Sequence, residues 1–117
     1  MKILIIDDNK DISSLFTEFF TLNNHDCISV NDGSKAVEYI MQERFDRIIL
    51  DLAMPGFSGY DVLKEIEKKK NIEFLDIIVL TATDISKEKQ QELIQMGVKR
   101  ILKKPISLSK INEIILN

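Results

Sequence analysis

Short runs of apolar residues recur along the chain, separated by longer segments of mixed polarity. Within each run the apolar residues follow one another without alternation, which is typical of strands covered on both faces. A strand open to water on one side would instead alternate apolar and polar residues. The runs predict five strands, over residues 2–6, 27–30, 47–51, 77–80 and 98–102.

The segments between these strands carry apolar residues at the i, i+3, i+4, i+7 spacing of amphipathic helices. The first helix is predicted to bury Ile12, Leu15, Phe16, Phe19 and Leu22. The later helices are predicted to bury Val37, Ile40 and Met41, then Val62, Leu63 and Ile66, then Leu93, Ile94 and Met96, and finally Leu108, Ile111, Ile114 and Ile115. Serines that can cap a helix precede the last four segments, and a glycine, Gly97, can end the fourth helix; the serines are Ser34, Ser58, Ser86 and Ser107.

Strands that alternate with helices predict an α/β fold with helices on both faces of a parallel sheet, because right-handed crossovers must cover the sheet. At this size we expect the flavodoxin-like, doubly wound (βα)5 architecture, with a five-stranded parallel sheet in the order 2-1-3-4-5. The 117 residues contain no Gly/Ser-rich linker and no internal repeat. We therefore expect residues 1–117 to form a single domain.

Composition narrows the classes of function. The chain is 44% hydrophobic and 30% charged, as globular proteins are, and its net charge of -3 argues against a broad nucleic-acid-binding surface. No apolar run approaches the ~18 residues of a membrane span, and the N-terminus lacks the features of a signal peptide. We therefore expect a cytoplasmic protein without membrane insertion. Its one cysteine, Cys27, has no disulfide partner and is expected to be a buried apolar residue.

Acidic residues stand where two of the predicted strands end. Asp7 and Asp8 follow the first strand, and Asp51 ends the third, just before residues 54–56 (Met-Pro-Gly) turn the chain away from the sheet. In the expected strand order these two strands are neighbours, and ligands bind at the carboxyl ends of such sheets. We therefore expect Asp7, Asp8 and Asp51 to converge on one crevice. An aspartate at the end of a strand is often only a helix cap, so Asp7 or Asp51 considered alone could have that role instead.

Three carboxylates in one crevice repel one another, so a cation is expected among them. Two bare charges 4 Å apart cost ~4 kcal/mol at an effective dielectric constant near 20. A hard ion with oxygen ligands fits such a site, Mg²⁺ before Ca²⁺. Thr81 after the fourth strand and Lys103-Lys104 after the fifth would add a hydroxyl and an ammonium group. These are the parts needed to transfer a phosphoryl group to a carboxylate.

The same motifs resemble the receiver domain of two-component response regulators, and the match spans essentially the whole chain. The resemblance is carried by Asp7-Asp8, by Asp51 with Met54-Pro55-Gly56 and Gly59 behind it, by Thr81-Ala82, and by Lys104-Pro105. It implies that Asp51 accepts a phosphoryl group from a phosphohistidine. The donor would be a sensor histidine kinase or a phosphotransfer protein, and the reaction would depend on Mg²⁺.

The resemblance also implies a role for each surrounding residue. Mg²⁺ would be held by the side chains of Asp8 and Asp51 and by the backbone carbonyl of Ala53, with Asp7 acting through water. Thr81 and Lys104 would contact the phosphoryl oxygens. The family usually has Tyr or Phe three residues before the lysine, whereas this chain has Ile101. A conformational switch is therefore expected to rely on Thr81 and on the fourth helix, over residues 86–96, rather than on an aromatic side chain.

We expect a regulator that signals to a protein target through the face of its fourth helix, fifth strand and fifth helix, as a monomer or weak dimer. A phosphorelay intermediate, or a receiver domain cut from a longer regulator, is equally compatible with the sequence. No enzymatic activity is expected beyond its own phosphorylation and dephosphorylation.

The same residues bear on two other classes of protein. Aspartyl-nucleophile phosphohydrolases resembling the haloacid dehalogenase family use a second aspartate two residues after the nucleophile, and this chain has Ala53 there. A flavin carrier on this fold needs a Ser/Thr/Gly-rich phosphate loop after the first strand, where Asp7-Asp8 would repel the phosphate. The phosphohydrolase is therefore a minor alternative, and the sequence argues against a flavin carrier.

Overall fold

The strands and helices of the computed structural model, which describes residues 1–116, alternate along the chain as predicted. They are β1 (Lys2–Ile6), α1 (Lys10–Leu22), β2 (Asp26–Val30), α2 (Gly33–Gln42), β3 (Arg47–Asp51), α3 (Gly59–Glu67), β4 (Ile77–Thr81), α4 (Lys87–Met96), β5 (Arg100–Lys103) and α5 (Leu108–Leu116), with a short 3₁₀ helix (Ile72–Phe74) before β4. Asn117, where the predicted domain ends, lies outside the described residues. Within residues 1–116, no helix is both long and apolar enough to cross a membrane.

All five strands are parallel and lie in the order β2-β1-β3-β4-β5, so the predicted flavodoxin-like topology is confirmed. Successive residues of the central strands face opposite sides of the sheet. Leu4 and Ile6 of β1 pack on the side of α2 and α3, whereas Ile3 and Ile5 pack on the side of α1 and α5. Both faces of the sheet are therefore covered by helices, which explains why the strands read as unbroken apolar runs.

Several predicted helix details are confirmed. Ser58 caps α3 and Ser86 caps α4, and Gly97 ends α4 in the left-handed conformation, with φ of 118°. The inward residues of α3 and α5 are also as predicted, namely Val62, Leu63 and Ile66, and Ile111, Ile114 and Ile115. Because helices connect successive parallel strands, the carboxyl ends of all five strands lie at the same edge of the sheet.

Other details differ from the predictions. Asp32, not Ser34, caps α2, because its carboxylate accepts the Ser34 N–H and the helix begins at Gly33. β5 begins at Arg100, so Val98 lies outside the strand although it is buried. The predicted burial of three residues is wrong: Leu15, Leu22 and Ile94 are 51%, 76% and 50% exposed. In α1 the buried side is centred on Phe16 and Phe20, which turns the leucines outward.

Candidate functional site

Three carboxylates meet at the carboxyl ends of β1 and β3, which are neighbours in the sheet. One oxygen from each of Asp7, Asp8 and Asp51 lies within 4.8 Å of the other two. Asp7 and Asp51 are buried, at 4% and 6% exposure, whereas Asp8 is exposed. The group therefore has two carboxylates that are largely shielded from water and a third that opens to it.

Lys104 reaches this acidic group from the loop after β5. Its Nζ lies 2.7 Å from Asp7 Oδ2 and 3.4 Å from Asp51 Oδ2. The preceding residue, Lys103, instead pairs with Asp84 at the surface, at 2.5 Å. Of the two lysines that follow the apolar part of β5, only Lys104 therefore contributes to the site.

Burial and charge act against each other on the pKa values of the two central groups. Burial raises the pKa of Asp51, and the charge of Asp7 adds to this effect, while the Ala53 N–H and Lys104 oppose it. Burial alone would lower the pKa of Lys104, but its hydrogen bond to Asp7 and the charges of Asp51 and Asp7 outweigh burial and raise it. Lys104 is therefore held in its charged form, whereas the ionised form of Asp51 is less favourable here than it is in water.

Thr81 is the last residue of β4 and is 2% exposed. Its hydroxyl lies 3.2 Å from the hydroxyl of Thr83 and accepts the Thr83 N–H at 3.3 Å. Its carbonyl accepts the N–H of Lys104 at 2.8 Å, which ties the ends of β4 and β5 together. Thr81 thus lies at the same edge of the sheet, with its hydroxyl bonded to the loop that leads to α4.

The turn after β3 fixes the carboxylate of Asp51 and its backbone. Ala53 is exposed, and its N–H donates to Asp51 Oδ1 at 3.1 Å. Gly59 begins α3 directly against this turn, where its N–H donates to the carbonyl of Leu52 at 3.1 Å. A Cβ at Gly59 would lie 2.1 Å from the carbonyl oxygen of Asp51. The absence of a side chain at Gly59 therefore allows α3 to begin this close to Asp51.

Ile101 lies in β5 opposite Val79 of β4 and is half-buried. With Thr81 and Thr83 it lines a cleft of about 140 Å³ beneath the start of α4. The residue at the position that is usually aromatic thus adjoins Thr81, although its branched aliphatic side chain carries no polar atom.

Sequence reasoning missed two asparagines that hold the backbone of this site. Asn9 caps α1, and its N–H donates to Asp7 Oδ1 at 2.9 Å. The side chain of Asn31, in the β2–α2 loop, donates to the carbonyl of Asp7 at 2.7 Å. An asparagine beside a strand end is a usable sequence signal for Asn9, as a helix cap. Nothing in the sequence indicates which carbonyl Asn31 reaches.

The donor atoms of this site fit a hard divalent cation. Three carboxylates face one ammonium group, so two negative charges remain uncompensated by the protein. Carboxylate and carbonyl oxygens are the ligands that Mg²⁺ and Ca²⁺ prefer, and the exposed Asp8 leaves room for water. The fold and the site together define an α/β protein with an acidic crevice at the carboxyl edge of its sheet, whose carboxylates fit a divalent cation.

Comparison with known sequences identifies the family. The sequence model of the response regulator receiver domain matches residues 3–116, so this chain belongs to that family. The uncharacterized transcriptional regulatory protein YrkP of Bacillus subtilis is 31% identical over 82% of this chain, which corresponds to 40% of YrkP. The sensor protein GacS of Pseudomonas syringae is 31% identical over 98% of this chain, but this is only 13% of GacS. The chain thus spans less than half the length of either relative.

Solved structures show the same fold. The response regulator protein TrrA of Thermotoga maritima, solved in complex with Mg²⁺-BeF, superposes with a TM-score of 0.79 and 28% identity. The superposition covers 98% of this chain and 96% of TrrA. The predicted resemblance to receiver domains is therefore confirmed at the level of family and fold.

Proposed function

We propose that residues 1–117 form a receiver domain that accepts a phosphoryl group on Asp51 from a sensor histidine kinase or a phosphotransfer protein. The proposal rests on the charged groups that surround Asp51. This buried carboxylate has Lys104 Nζ at 3.4 Å, and oxygens of Asp7 and Asp8 lie within 4.8 Å of one of its own. Phosphoryl transfer is catalysed mostly by positioning and by neutralisation of charge, which these groups supply.

The proposed cofactor is Mg²⁺, held by the side chains of Asp8 and Asp51 and by the carbonyl of Ala53, with Asp7 acting through water. The two uncompensated negative charges and the all-oxygen donor set support this assignment. The Mg²⁺-BeF complex of TrrA supports it independently. When bound, the ion would neutralise negative charge on the phosphoryl oxygens.

The transfer step uses residues of this chain in defined roles. A carboxylate oxygen of Asp51 forms a bond to phosphorus as the P–N bond of the donor phosphohistidine breaks, and the electron pair of that bond stays on the imidazole. The Ala53 N–H orients the Asp51 carboxylate through Oδ1, and Lys104 lies beside Oδ2, where it would contact the phosphoryl oxygens. Thr81 would exchange its hydrogen bond with Thr83 for one to the phosphoryl group.

This exchange offers a route for signalling, because Thr83 belongs to the loop that leads into α4. Leu93 is the one fully buried residue of α4, so that helix is weakly anchored to the core. Ile101 leaves the response without the aromatic side chain usual in the family. We propose that α4, β5 and α5 form the face that a downstream protein target binds. The net charge of -3 supports a protein partner rather than nucleic acid.

We further propose that the chain acts in the cytoplasm as a monomer or weak dimer, consistent with a lone cysteine that has no disulfide partner. Receiver domains are typically signalling domains rather than enzymes, and Ala53 lacks the acid that a phosphohydrolase would need. The similarity to a segment of GacS supports a second candidate role, that of a phosphorelay intermediate. Transfer of the phosphoryl group from Asp51 back to a phosphotransfer domain would distinguish a relay from an effector.

The proposal is tested by incubating the chain with acetyl phosphate and Mg²⁺ and measuring its mass. We expect one added phosphoryl group, stable in acid and labile in base, that is absent when Mg²⁺ is chelated. The Asp51→Asn variant should remain unmodified. Asp46→Asn is the matched control, because Asp46 directly precedes β3, at the opposite end of the strand from Asp51, and the variant should be modified like the wild type. Phosphorylation of Asp51→Asn would contradict the assignment.

A further inference from the structure

The backbone of Asp7 is fixed by a side chain from another part of the chain. Asn31 Nδ2 donates to the carbonyl oxygen of Asp7 at 2.7 Å and to Ser13 Oγ at 3.1 Å. Ser13 is 1% exposed, and its hydroxyl donates to the carbonyl of Lys10 in the first turn of α1. One amide group therefore joins the end of β1, the β2–α2 loop and the start of α1.

The hydrogen bond from Asn31 to the Asp7 carbonyl takes the place of a backbone hydrogen bond between β1 and β2. β1 and β2 pair in register as far as Ile6 and Val30, and the Asp7 N–H then donates to the carbonyl of Val30 at 3.2 Å. A parallel ladder would next give the Asp7 carbonyl the N–H of Asp32. The chain has already left β2 at that point, because Asp32 caps α2. Asn31 supplies the donor that β2 no longer provides, and without it a buried carbonyl would lose its partner.

This bond matters to Asp8 more than to any other acid of the site. Asp7 is held at its carboxylate by Lys104 and by the Asn9 N–H. Asp51 is held at its carboxylate by Lys104 and by the Ala53 N–H. In the part of the chain that the structure describes, the Asp8 carboxylate makes no hydrogen bond or ion pair. Its position therefore depends on the peptide that joins it to Asp7, whose carbonyl oxygen Asn31 holds.

We propose that Asn31 is a positioning residue for the candidate metal site, which orients the Asp7–Asp8 peptide so that the Asp8 carboxylate faces Asp51. The inference rests on the proposed function, because it assumes that Asp8 and Asp51 bind Mg²⁺. Residues that orient a metal ligand typically contribute about 10- to 100-fold to metal affinity. Asn31 acts through the backbone rather than on the carboxylate itself, so the lower end of that range, about 10-fold, is expected.

The test is a calorimetric titration of the unphosphorylated chain with Mg²⁺ alone, for the wild type and for Asn31→Ala. Asn23→Ala is the matched control, because Asn23 Nδ2 also donates to a backbone carbonyl, that of Phe19 at 2.8 Å, but at the far end of α1. We expect a dissociation constant for Mg²⁺ that is about 10-fold higher in Asn31→Ala and unchanged in Asn23→Ala. Urea unfolding in EDTA measures the stability of both variants separately from metal binding.

Two further variants isolate the carbonyl contact. Ser13→Ala removes the hydrogen bonds that the Ser13 hydroxyl makes with Asn31 and with the Lys10 carbonyl, but it leaves the bond from Asn31 to Asp7 in place. Its affinity for Mg²⁺ should therefore stay close to that of the wild type. Asn31→Asp keeps the shape of the side chain and removes the donor, so it serves if Asn31→Ala does not fold. Its added negative charge would by itself favour a cation. Weaker Mg²⁺ binding by Asn31→Asp than by the wild type would therefore support the inference, because the added charge alone predicts tighter binding.

The remaining outcomes separate the inference from the proposed function. An unchanged affinity in Asn31→Ala, or an equal loss in Asn23→Ala or Ser13→Ala, would overturn the role of Asn31 and leave the proposed function intact. A wild-type chain that does not bind Mg²⁺, or that binds it as well after Asp8→Asn, would overturn the proposed function and this inference with it.

Discussion

Replacing Lys104 with methionine removes the ammonium group that joins Asp7 and Asp51 but keeps most of the length of the side chain. The Lys104 side chain is 15% exposed and its two partners are buried. Removing one partner from a buried ion pair typically costs about 3–5 kcal/mol. Lys104 also offsets the repulsion between these two carboxylates, whose oxygens lie within 4.8 Å of each other, and that repulsion is about 3 kcal/mol at an effective dielectric constant near 20; the variant loses this offset. Both arguments predict that Lys104→Met lowers the free energy of unfolding by about 3 kcal/mol in the absence of a metal.

The measurement is urea unfolding followed by far-ultraviolet circular dichroism, at pH 7 in EDTA and again in Mg²⁺. Lys103→Met is the matched control, because Lys103 is the adjacent residue and its ion pair with Asp84 is exposed. Exposed pairs contribute at most about 1 kcal/mol. A bound cation stabilises the folded state by about 2.7 kcal/mol at 100 times its dissociation constant. Mg²⁺ should therefore narrow the gap between Lys104→Met and the wild type, because the variant has one fewer competing positive charge in the site.

The result that would refute this reasoning is an equal loss of stability in the two variants in EDTA. Lys104 would then be an ordinary surface lysine, and the acidic group would not need its charge. We also expect the metal and the ammonium group to neutralise the same carboxylates. If the loss of unfolding free energy in Lys104→Met were the same in Mg²⁺ as in EDTA, that expectation would be refuted.

Two further predictions concern Asp51 and the turn behind it. Because burial raises the pKa of Asp51 above its ordinary value of 3.8, the native state holds this proton more tightly than the unfolded chain, and the free energy of unfolding falls as pH rises from 3.8 through the native pKa. Asp51→Asn should therefore unfold at higher urea concentration than the wild type at pH 7 in EDTA, and the difference should vanish as the pH is lowered towards 3.8; equal midpoints at pH 7 would contradict it. Gly59→Ala, whose Cβ would meet the Asp51 carbonyl at 2.1 Å, should cost about 2 kcal/mol and slow phosphorylation by acetyl phosphate. Gly56→Ala, which has φ of 75° but no atom within 4 Å of its Cβ, should cost about 1 kcal/mol and leave that rate unchanged, so equal rates in the two variants would show that the contact at Gly59 is unimportant.

The convergence of Asp7 and Asp51 could be predicted because it follows from strand order alone. Unbroken apolar runs indicate a parallel sheet, and the order 2-1-3-4-5 places the ends of β1 and β3 side by side whatever the side chains do. The burial of α3 was predictable for a related reason. Its apolar residues Val62, Leu63 and Ile66 form one narrow stripe, so only one orientation of the helix can bury them.

The details that could not be predicted depend on choices between nearly equal local solutions. Asp32 and Ser34 lie two residues apart, and both are good helix caps. Which of them caps α2 depends on where β2 ends. In α1 apolar residues surround much of the helix, so periodicity alone could not tell that Phe20 faces inward and Leu22 outward. The bond from Asn31 to Asp7 joins residues 24 apart through a side-chain rotamer, and only tertiary packing fixes it.

Ile101 raises the question of how the proposed reaction could be sensed without an aromatic side chain in β5. In the present structure the hydroxyl of Thr81 is bonded to Thr83, two residues along the loop that leads to α4. A phosphoryl group on Asp51 would compete with Thr83 for the Thr81 hydroxyl. A hydrogen bond from Thr81 to the phosphoryl group would therefore replace the one between Thr81 and Thr83. On the far side of the loop, α4 is held by the burial of Leu93 and by the hydrogen bond between Tyr60 and Glu92. The loop between Thr81 and α4 therefore connects the acidic crevice to the least anchored helix, whether or not residue 101 is aromatic.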